Sequence, residues 1–241
     1  ILRLYRWESP FLSLGYFQRY QDYEEHRLSG MFPVVRRPSG GGAILHHREW
    51  TYSISLPTSC LPAGDRLWLY RAVHQTLVAW LESLGLEPEI ITENPPPCQR
   101  DKEPCPFLCF ERRAVGDVVV SIPRKWGLDR HFGKDRPSKP KVVGSAQRRY
   151  RNTVLQHGSV LLAQTPLGPE LPGVLELLAD AGIKVEYPEL LDGFSSRWPK
   201  LLAETFGWEL IPWVPPVGEM SEFAELWAKF LSRGWTRKEG S

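Results

Sequence analysis

The chain has 241 residues, of which 42% are hydrophobic, with ten tryptophans and a formal net charge of +2. This length and apolar content suffice for one large domain with a sizeable core. The nearly balanced charge argues against a global field that attracts nucleic acid. Four cysteines in a chain of this size do not indicate a disulfide scaffold, so we expect a reducing, cytoplasmic setting.

The N-terminal stretch shows no targeting or membrane signal. Arg3, Arg6 and Glu8 interrupt its apolar runs, in ILRLYRWESPFLSLGYF. It therefore contains no signal-peptide core and nothing long enough to span a bilayer, and we expect no membrane partner. The next stretches are rich in β-branched and aromatic residues and predict two strands joined by a glycine turn, FPVVRR and AILHHREWTYSISL.

The rest of the chain alternates strands, loops and then helices. Residues 65–85 predict a helix, with Asp65 as its N-cap and Gly85 as its stop, because apolar residues recur at helical spacing. Strands are predicted in GDVVVSIP and VLQHGSVLLA, and further helices at 174–181, 199–206 and 221–231. This order predicts an α+β fold with helices packed against a mixed β-sheet. We expect one domain over 1–241, with a core at about 1–165 and a C-terminal helical part at about 166–241.

Two segments combine small residues with cationic side chains. The first surrounds residues 39–42, the glycine segment, and the second follows Lys141. Residues without a Cβ permit tight turns or the close approach of a ligand, so the glycine segment predicts either a flexible hairpin turn or the wall of a ligand site. His46 and His157 are either core histidines with satisfied rings or direct participants. The candidate binding residues are Arg36, Arg37, Ser39, Gly40, Gly41, Gly42, His46, Gly144, Ser145, Ala146, His157 and Gly158.

The two small-residue segments lie in RRPSGGGAILH, which is followed by TYSI, and in KVVGSAQRR, which is followed by LQHGSVLL. They resemble the two signature segments of the biotin/lipoate protein ligase and lipoyl transferase family. The opening LRLYRWESPFLSLGYFQ is similar to the first core strand region of that family, so the resemblance runs from Leu2 to Leu162. It implies a catalytic domain that binds a medium-chain acyl group and transfers it to a lysine of a carrier protein.

One branch of the family fits the chain best. The pair Cys109-Phe110, in LCFERRAVGDVVV, is similar to the Cys-Phe position of the cysteine-dependent octanoyltransferases of Gram-positive type, whereas the ligases have no cysteine there. The resemblance implies that Cys109 carries the octanoyl group as a thioester and that Lys141 favours its thiolate. A free thiol, with a pKa of about 8.5, needs a nearby cation to ionise at neutral pH. Main-chain N–H groups at residues 144–146 would stabilise the oxyanion.

The implied function is octanoyl transfer from acyl carrier protein to a lipoyl-domain protein such as the glycine-cleavage H protein, with no cofactor. The enzyme alternative is ATP-dependent lipoate ligation, which would require ATP and Mg²⁺. A third class is a non-catalytic module that binds acyl groups or carrier proteins, against which Cys109 and Lys141 argue.

Other cysteines, histidines and basic residues suggest weaker alternatives. A zinc site is disfavoured because no C-x2-C pair occurs among Cys98, Cys105, Cys109 and His131. We interpret Cys60, His26 and His74 as structural or surface residues. The basic loop at 123–140 is either a solvated insertion or a surface that attracts acidic carrier proteins. It is a poor nucleic-acid surface, because its aromatic residues are one Trp and one Phe.

Overall fold

The computed structural model of the protein describes residues 1–93, 106–121, 139–214 and 220–238. The strands are β1 (Leu2–Tyr5), β2 (Phe11–Leu14), β3 (Val34–Arg36), β4 (Ile44–His46), β5 (Glu49–Pro57), β6 (Glu87–Ile90), β7 (Val118–Ser121), β8 (Lys141–Tyr150) and β9 (Thr153–Leu161). The α-helices are α1 (Tyr20–Glu24), α2 (Trp68–Ser83), α3 (Val174–Asp180), α4 (Tyr187–Phe206), α5 (Met220–Leu231) and α6 (Arg233–Arg237). None of the helices in the described part of the chain has the length and apolar character needed to cross a membrane.

Two β-sheets form the framework. The larger has six strands in the order β1-β5-β9-β8-β7-β6, with antiparallel neighbours throughout. The smaller has the order β3-β2-β4, in which β2 pairs with β3 in parallel and with β4 in antiparallel orientation. Helices α2 and α4 pack together and contribute to the main core with the larger sheet. These sheets and helices confirm the predicted α+β class.

The glycine segment does not form a hairpin between paired strands. Strand β2 lies between β3 and β4, so the chain crosses one end of β2 as it passes from β3 to β4. The hairpin alternative is therefore wrong. Its physical reason is that both strands find their hydrogen-bond partners on β2, which comes earlier in the chain.

The helix predictions hold with shifted boundaries. Helix α2 begins at Trp68 with Leu67 as its N-cap and no side-chain cap, so the prediction of Asp65 as the N-cap is wrong. The Asp65 side chain instead accepts a hydrogen bond from the Leu67 N–H (3.1 Å) before the first turn. Gly85 follows the helix with a φ of +86°, a conformation suited to glycine. The helix expected at 199–206 is the end of the longer α4, and Pro199 lies inside it.

The C-terminal residues return to the N-terminal sheet. The Arg36 Nε donates to the carbonyl of Thr236 (2.8 Å), and the Trp235 Nε1 donates to the carbonyl of Arg36 (2.7 Å). Helix α6 therefore packs against β3, at the strand that leads into the glycine segment. The proposed division of the chain near residue 165 stays a prediction.

Trp198 joins α4 to α2 in the main core. It is fully buried, its Nε1 donates to the Thr76 hydroxyl (2.9 Å), and its ring stacks on Phe194 with centroids 5.2 Å apart. We expect Trp198→Ala to lower the free energy of unfolding by about 3–5 kcal/mol, because the substitution leaves a cavity. Trp227→Ala, at a residue that is 69% exposed on α5, should change it by less than about 0.5 kcal/mol. Urea unfolding measures both, and equal effects would contradict this packing.

Candidate active site

Cys109 lies where the chain passes beside the end of the glycine segment. The Ala43 N–H donates to the carbonyl of Phe107 (3.0 Å), and the Cys109 N–H donates to the carbonyl of Ala43 (2.7 Å). These two bonds form a short parallel bridge between Ala43 and Leu108. The partly buried Cys109 side chain is therefore fixed by main-chain contacts to the smaller sheet.

Lys141 reaches Cys109 from the larger sheet. Its Nζ lies 3.7 Å from the Cys109 Sγ and donates to the Cys109 carbonyl (3.2 Å). The same Nζ forms an ion pair with Asp117 Oδ2 (2.8 Å), and both side chains are at most 4% exposed. A register shift where β7 pairs with β8 occurs beside these residues. The structure thus brings together the two predicted catalytic residues, with a carboxylate behind the lysine.

Sequence reasoning missed Asp117. Its Oδ2 also accepts a hydrogen bond from the Ala114 N–H (2.7 Å), which fixes the carboxylate at the head of β7. Burial raises the pKa of Asp117, and the charge and hydrogen bond of Lys141 oppose that shift. The only sequence signal was an acidic residue directly before a run of three valines, and such a residue has no local partner to reveal its role.

The glycines at the site allow backbones and side chains to approach closely. Gly41 has a φ of +96°, and a Cβ there would lie 3.0 Å from Arg37 Nη2 and 3.8 Å from Cys109 Sγ. A Cβ at Gly42 would lie 2.9 Å from the Cys109 nitrogen. On β8, a Cβ at Gly144 would lie 2.7 Å from the Lys141 Cε. The glycine segment therefore forms a wall against Cys109, and Gly144 leaves room for the lysine.

Arg37 is the predicted arginine that lies beside the thiol. Its Nη1 donates to the carbonyl (2.8 Å) and hydroxyl (3.2 Å) of Ser13, and its Nη2 donates to the carbonyls of Gly40 (3.0 Å) and Gly42 (2.5 Å). Burial lowers the pKa of Arg37 to about 10, with Cys109 acting in the opposite direction. The guanidinium thus holds the glycine segment in place next to the thiol.

Each of the two candidate histidines contacts a serine hydroxyl. His157, on β9, contacts the Ser39 hydroxyl through its Nε2. Burial and the nearby Arg37 lower the pKa of His157 to about 4, so its ring is neutral at pH 7. The buried His46 contacts the Ser13 hydroxyl through Nε2 (2.8 Å) and Glu49 Oε1 through Nδ1 (2.5 Å).

The structure places other candidate residues away from Cys109. Arg36 is 2% exposed and donates to four main-chain carbonyls, of Gly15, Tyr16, Gln18 and Thr236. The Ser145 hydroxyl contacts Tyr52 and His74 rather than the thiol. A Cβ at Gly158 would lie 2.3 Å from that hydroxyl, so Gly158 leaves room for the contact. Ala146 pairs with His157 across β8 and β9.

His74 is fully buried, and it belongs to a polar network behind β8. Its Nδ1 donates to the carbonyl of Gly116 (2.5 Å), and its Nε2 accepts from the Ser145 hydroxyl (2.6 Å). The Tyr52 hydroxyl contacts the same serine (2.5 Å). Burial lowers the pKa of His74 to about 4, and the charge of Lys141 acts in the same direction.

Several sequence candidates lie outside the described residues. These are Cys98, Cys105, His131 and positions 123–138 of the basic loop. Within the ranges that the structure describes, no group of three or more His, Cys, Asp or Glu side chains is arranged to hold a metal ion.

The contacts of the glycine segment predict unequal tolerance to alanine. Gly42→Ala should lower the free energy of unfolding by about 1–3 kcal/mol, because its Cβ would meet main-chain atoms of Cys109 and Phe107 that cannot move freely. Gly40→Ala should change it by less than about 0.5 kcal/mol, since its Cβ would make an ordinary contact with Phe17 (3.6 Å). Thermal and urea unfolding of both variants test this, and equal tolerance would contradict the close approach.

The buried His74 predicts a loss of stability in acid. Its pKa is about 4 in the folded protein and about 6.5 in an unfolded chain. The unfolded state therefore binds more protons between these values, and stability falls as the pH falls through that window. We expect His74 to contribute a loss of about 2 kcal/mol between pH 7 and pH 5. Urea unfolding of His74→Gln should show a weaker pH dependence by this amount, and an unchanged dependence would contradict the assignment.

Comparisons with known proteins agree with the geometry. Residues 1–167 match the family model described as the lipoyl protein ligase A/B catalytic domain. Octanoyltransferase LipM of Kyrpidia tusciae is 34% identical over 99% of this chain and 87% of its own length. Octanoyltransferase LipM of Staphylococcus aureus is 32% identical over 67% of this chain, and the match spans 54% of that relative.

Solved structures share the fold at low identity. The bi-partite lipoate protein ligase of Thermoplasma acidophilum has a TM-score of 0.63 and 18% identity, covering 98% of this chain and 83% of its own. A lipoate-protein ligase A bound with ATP has a TM-score of 0.65 and 18% identity, covering 98% of this chain and 85% of its own. These likenesses concern the fold alone. From the family model and the relatives above 30% identity, the chain belongs to the lipoyl protein ligase A/B catalytic domain family.

Proposed function

We propose that this chain is an octanoyltransferase that holds the acyl group as a thioester on Cys109. The observation that carries the proposal is the Cys109 Sγ at 3.7 Å from the Lys141 Nζ, with Asp117 paired to the same ammonium. The relatives above 30% identity are named octanoyltransferases, which supports the same activity. A cysteine at this position would be superfluous to an enzyme that activates its substrate as an adenylate.

The first half of the reaction charges the enzyme. The Cys109 sulfur attacks the carbonyl carbon of the donor thioester, and a new carbon–sulfur bond forms as the bond to the donor sulfur breaks. Cys109 attacks as its thiolate, and the departing donor sulfur takes a proton from the Lys141 ammonium. Lys141 can hold this proton because its Nζ contacts both the thiol and a fixed carboxylate.

The second half delivers the acyl group. The neutral amine of an acceptor lysine attacks the thioester carbonyl, an amide bond forms, and the Cys109 sulfur leaves as a thiolate. Lys141 takes the proton released by the amine and returns the site to its resting state. Of residues 144–146, Gly144 borders the Lys141 side chain, and its main-chain N–H is the proposed donor to the oxyanion in both halves.

The partners follow from the reaction. The proposed donor is octanoyl-acyl carrier protein, and the proposed acceptor is the lysine of a lipoyl domain such as that of the glycine-cleavage H protein. We place the reaction in the cytoplasm. We include no cofactor, because a thioester donor already supplies an activated acyl group.

Intact mass after incubation with octanoyl-acyl carrier protein tests the nucleophile. The parent protein should gain one octanoyl group without ATP, and Cys109→Ala should gain none and transfer none. The control is Cys60→Ala, since Cys60 is a free, exposed cysteine outside the site. That variant should keep the adduct and nearly all the activity.

Two results would contradict the proposal. The first is an octanoyl adduct that persists in Cys109→Ala. The second is transfer by Cys109→Ala to a lipoyl domain when octanoate and ATP replace the thioester donor, which would identify a ligase instead.

A further inference from the structure

Arg37 carries a positive charge with no carboxylate partner. All four of its hydrogen bonds go to uncharged acceptors, the Ser13 carbonyl and hydroxyl and the carbonyls of Gly40 and Gly42. Its Nε is enclosed and has no hydrogen-bond partner. Among the residues that the structure describes, no Asp or Glu forms an ion pair with Arg37. The charge is thus partly removed from water and left without a counter-charge.

One ionisable group beside this charge is the thiol of Cys109. A Cβ placed at Gly41 would lie within 4 Å of both Arg37 Nη2 and Cys109 Sγ, at 3.0 and 3.8 Å, so the two atoms flank one small space. Burial lowers the pKa of Arg37 and disfavours its charge, whereas the negative charge of an ionised Cys109 favours it. The positive charge of Arg37 and the negative charge of an ionised Cys109 would therefore stabilise each other.

Lys141 cannot supply this compensation alone. Its Nζ lies closer to Asp117 Oδ2 (2.8 Å) than to Cys109 Sγ (3.7 Å), so the carboxylate already neutralises the ammonium. A thiolate beside that pair would give the three groups a net charge of −1. In a site poorly exposed to water, this excess negative charge has no compensating cation within the pair.

We propose that Arg37 is the counter-charge of the Cys109 thiolate. Arg37, Lys141, Asp117 and an ionised Cys109 then form a set with two positive and two negative charges. The proposal rests on the proposed function in one respect, namely that Cys109 is the nucleophile.

Tyr70 and Arg112 are two further groups near the thiol. Tyr70 approaches from α2, and burial raises its pKa, so it stays uncharged. Arg112 follows Cys109 in the same turn, where its N–H donates to the Cys109 carbonyl (3.2 Å) and its side chain donates to the Pro106 carbonyl. Neither group supplies the fixed contact that Arg37 makes with the glycine segment.

A buried chain of polar residues holds Arg37 in position. The Glu49 carboxylate contacts His46 Nδ1 (2.5 Å), His46 Nε2 contacts the Ser13 hydroxyl (2.8 Å), and that hydroxyl accepts from Arg37 Nη1 (3.2 Å). Glu49, His46 and Ser13 are each at most 4% exposed. The last contact of this polar network is with the Arg37 guanidinium. The guanidinium is therefore oriented by the Ser13 hydroxyl as well as by the glycine carbonyls.

The test is the rate of iodoacetamide alkylation of Cys109 against pH, followed by mass spectrometry of its peptide in the free protein. Arg37→Gln should move the midpoint of this profile upward by about one pH unit or more, because the thiolate loses an opposite charge. Arg37→Lys keeps a charge and should move the midpoint less. Arg149→Gln is the matched control, since this exposed arginine donates to the Arg66 carbonyl rather than to the glycine segment, and its profile should match that of the parent.

A double variant separates Arg37 from the ion pair. Asp117→Asn combined with Lys141→Met removes one charge of each sign, and the midpoint should move less than in Arg37→Gln. An unchanged profile in Arg37→Gln, or a larger shift in the double variant, would overturn the proposal. If thermal unfolding shows that Arg37→Gln does not fold, the double variant decides the question. A shift of its alkylation midpoint by about one pH unit or more would identify Lys141, rather than Arg37, as the counter-charge of the thiolate.

The octanoyl adduct is measured on the same proteins. An adduct on the parent with an unchanged alkylation profile in Arg37→Gln would overturn the role of Arg37 and leave the proposed function intact. Absence of the adduct, with a profile that still depends on Arg37, would overturn the proposed function and support the role of Arg37.

Discussion

The ion pair between Lys141 and Asp117 is the constraint on which the rest of the site depends. Removing two charges from water costs several kcal/mol for each ion, and the pair is stable only if its geometry is good and its other hydrogen bonds are made. Here the lysine also donates to the carbonyl of Cys109, and the carboxylate accepts from the N–H of Ala114. The turn before β7, the start of β8 and the Cys109 segment are therefore tied together at one point.

The two sheets meet at this point, and each supplies half of the site. The larger sheet contributes Lys141 and, on the neighbouring strand, His157. The smaller sheet contributes the glycine segment, which contacts the main chain of Cys109 through the space left by Gly42. A hydrogen bond between the Ser39 hydroxyl and His157 joins the two halves on the far side. A thiol between two sheets is held more rigidly than one on a free loop, which favours a defined angle of attack.

Sequence patterns predicted the parts of this arrangement that depend on residues close together in the sequence. The periodicity at 65–85 located α2, and the order of the family motifs located Cys109 and Lys141 before their contact was known. Asp117 could not be predicted in this way, because its partner lies on another strand and a register shift occurs where the two strands pair. The same holds for Arg36 and Arg37. Successive residues in extended chain point to opposite sides, and only the structure shows which arginine faces the thiol.

Gly144 and Ser145 are also neighbours in sequence that make contacts on opposite faces of β8. Gly144 borders Lys141, whereas the next side chain, Ser145, contacts His74 and Tyr52 on the other side of β8. One motif therefore borders the Lys141 side chain on one face and contacts α2 on the other. The sequence shows one small-residue segment. Because successive side chains of a strand point to opposite faces of the sheet, its neighbouring residues make different contacts.

The charges around Cys109 also bear on how one lysine serves both halves of the reaction. In the free enzyme, with Arg37 as the counter-charge, an ionised thiol balances the set and Lys141 keeps its proton beside Asp117. Formation of the thioester converts the sulfur to a neutral group, so Arg37 and Lys141 then outweigh the single carboxylate. In the proposed cycle Arg37 keeps its charge throughout, because an arginine seldom loses its proton, whereas Lys141 gives a proton to the donor sulfur and takes one from the acceptor amine. The two cations therefore have separate roles, one as a fixed charge and the other as the group that exchanges a proton.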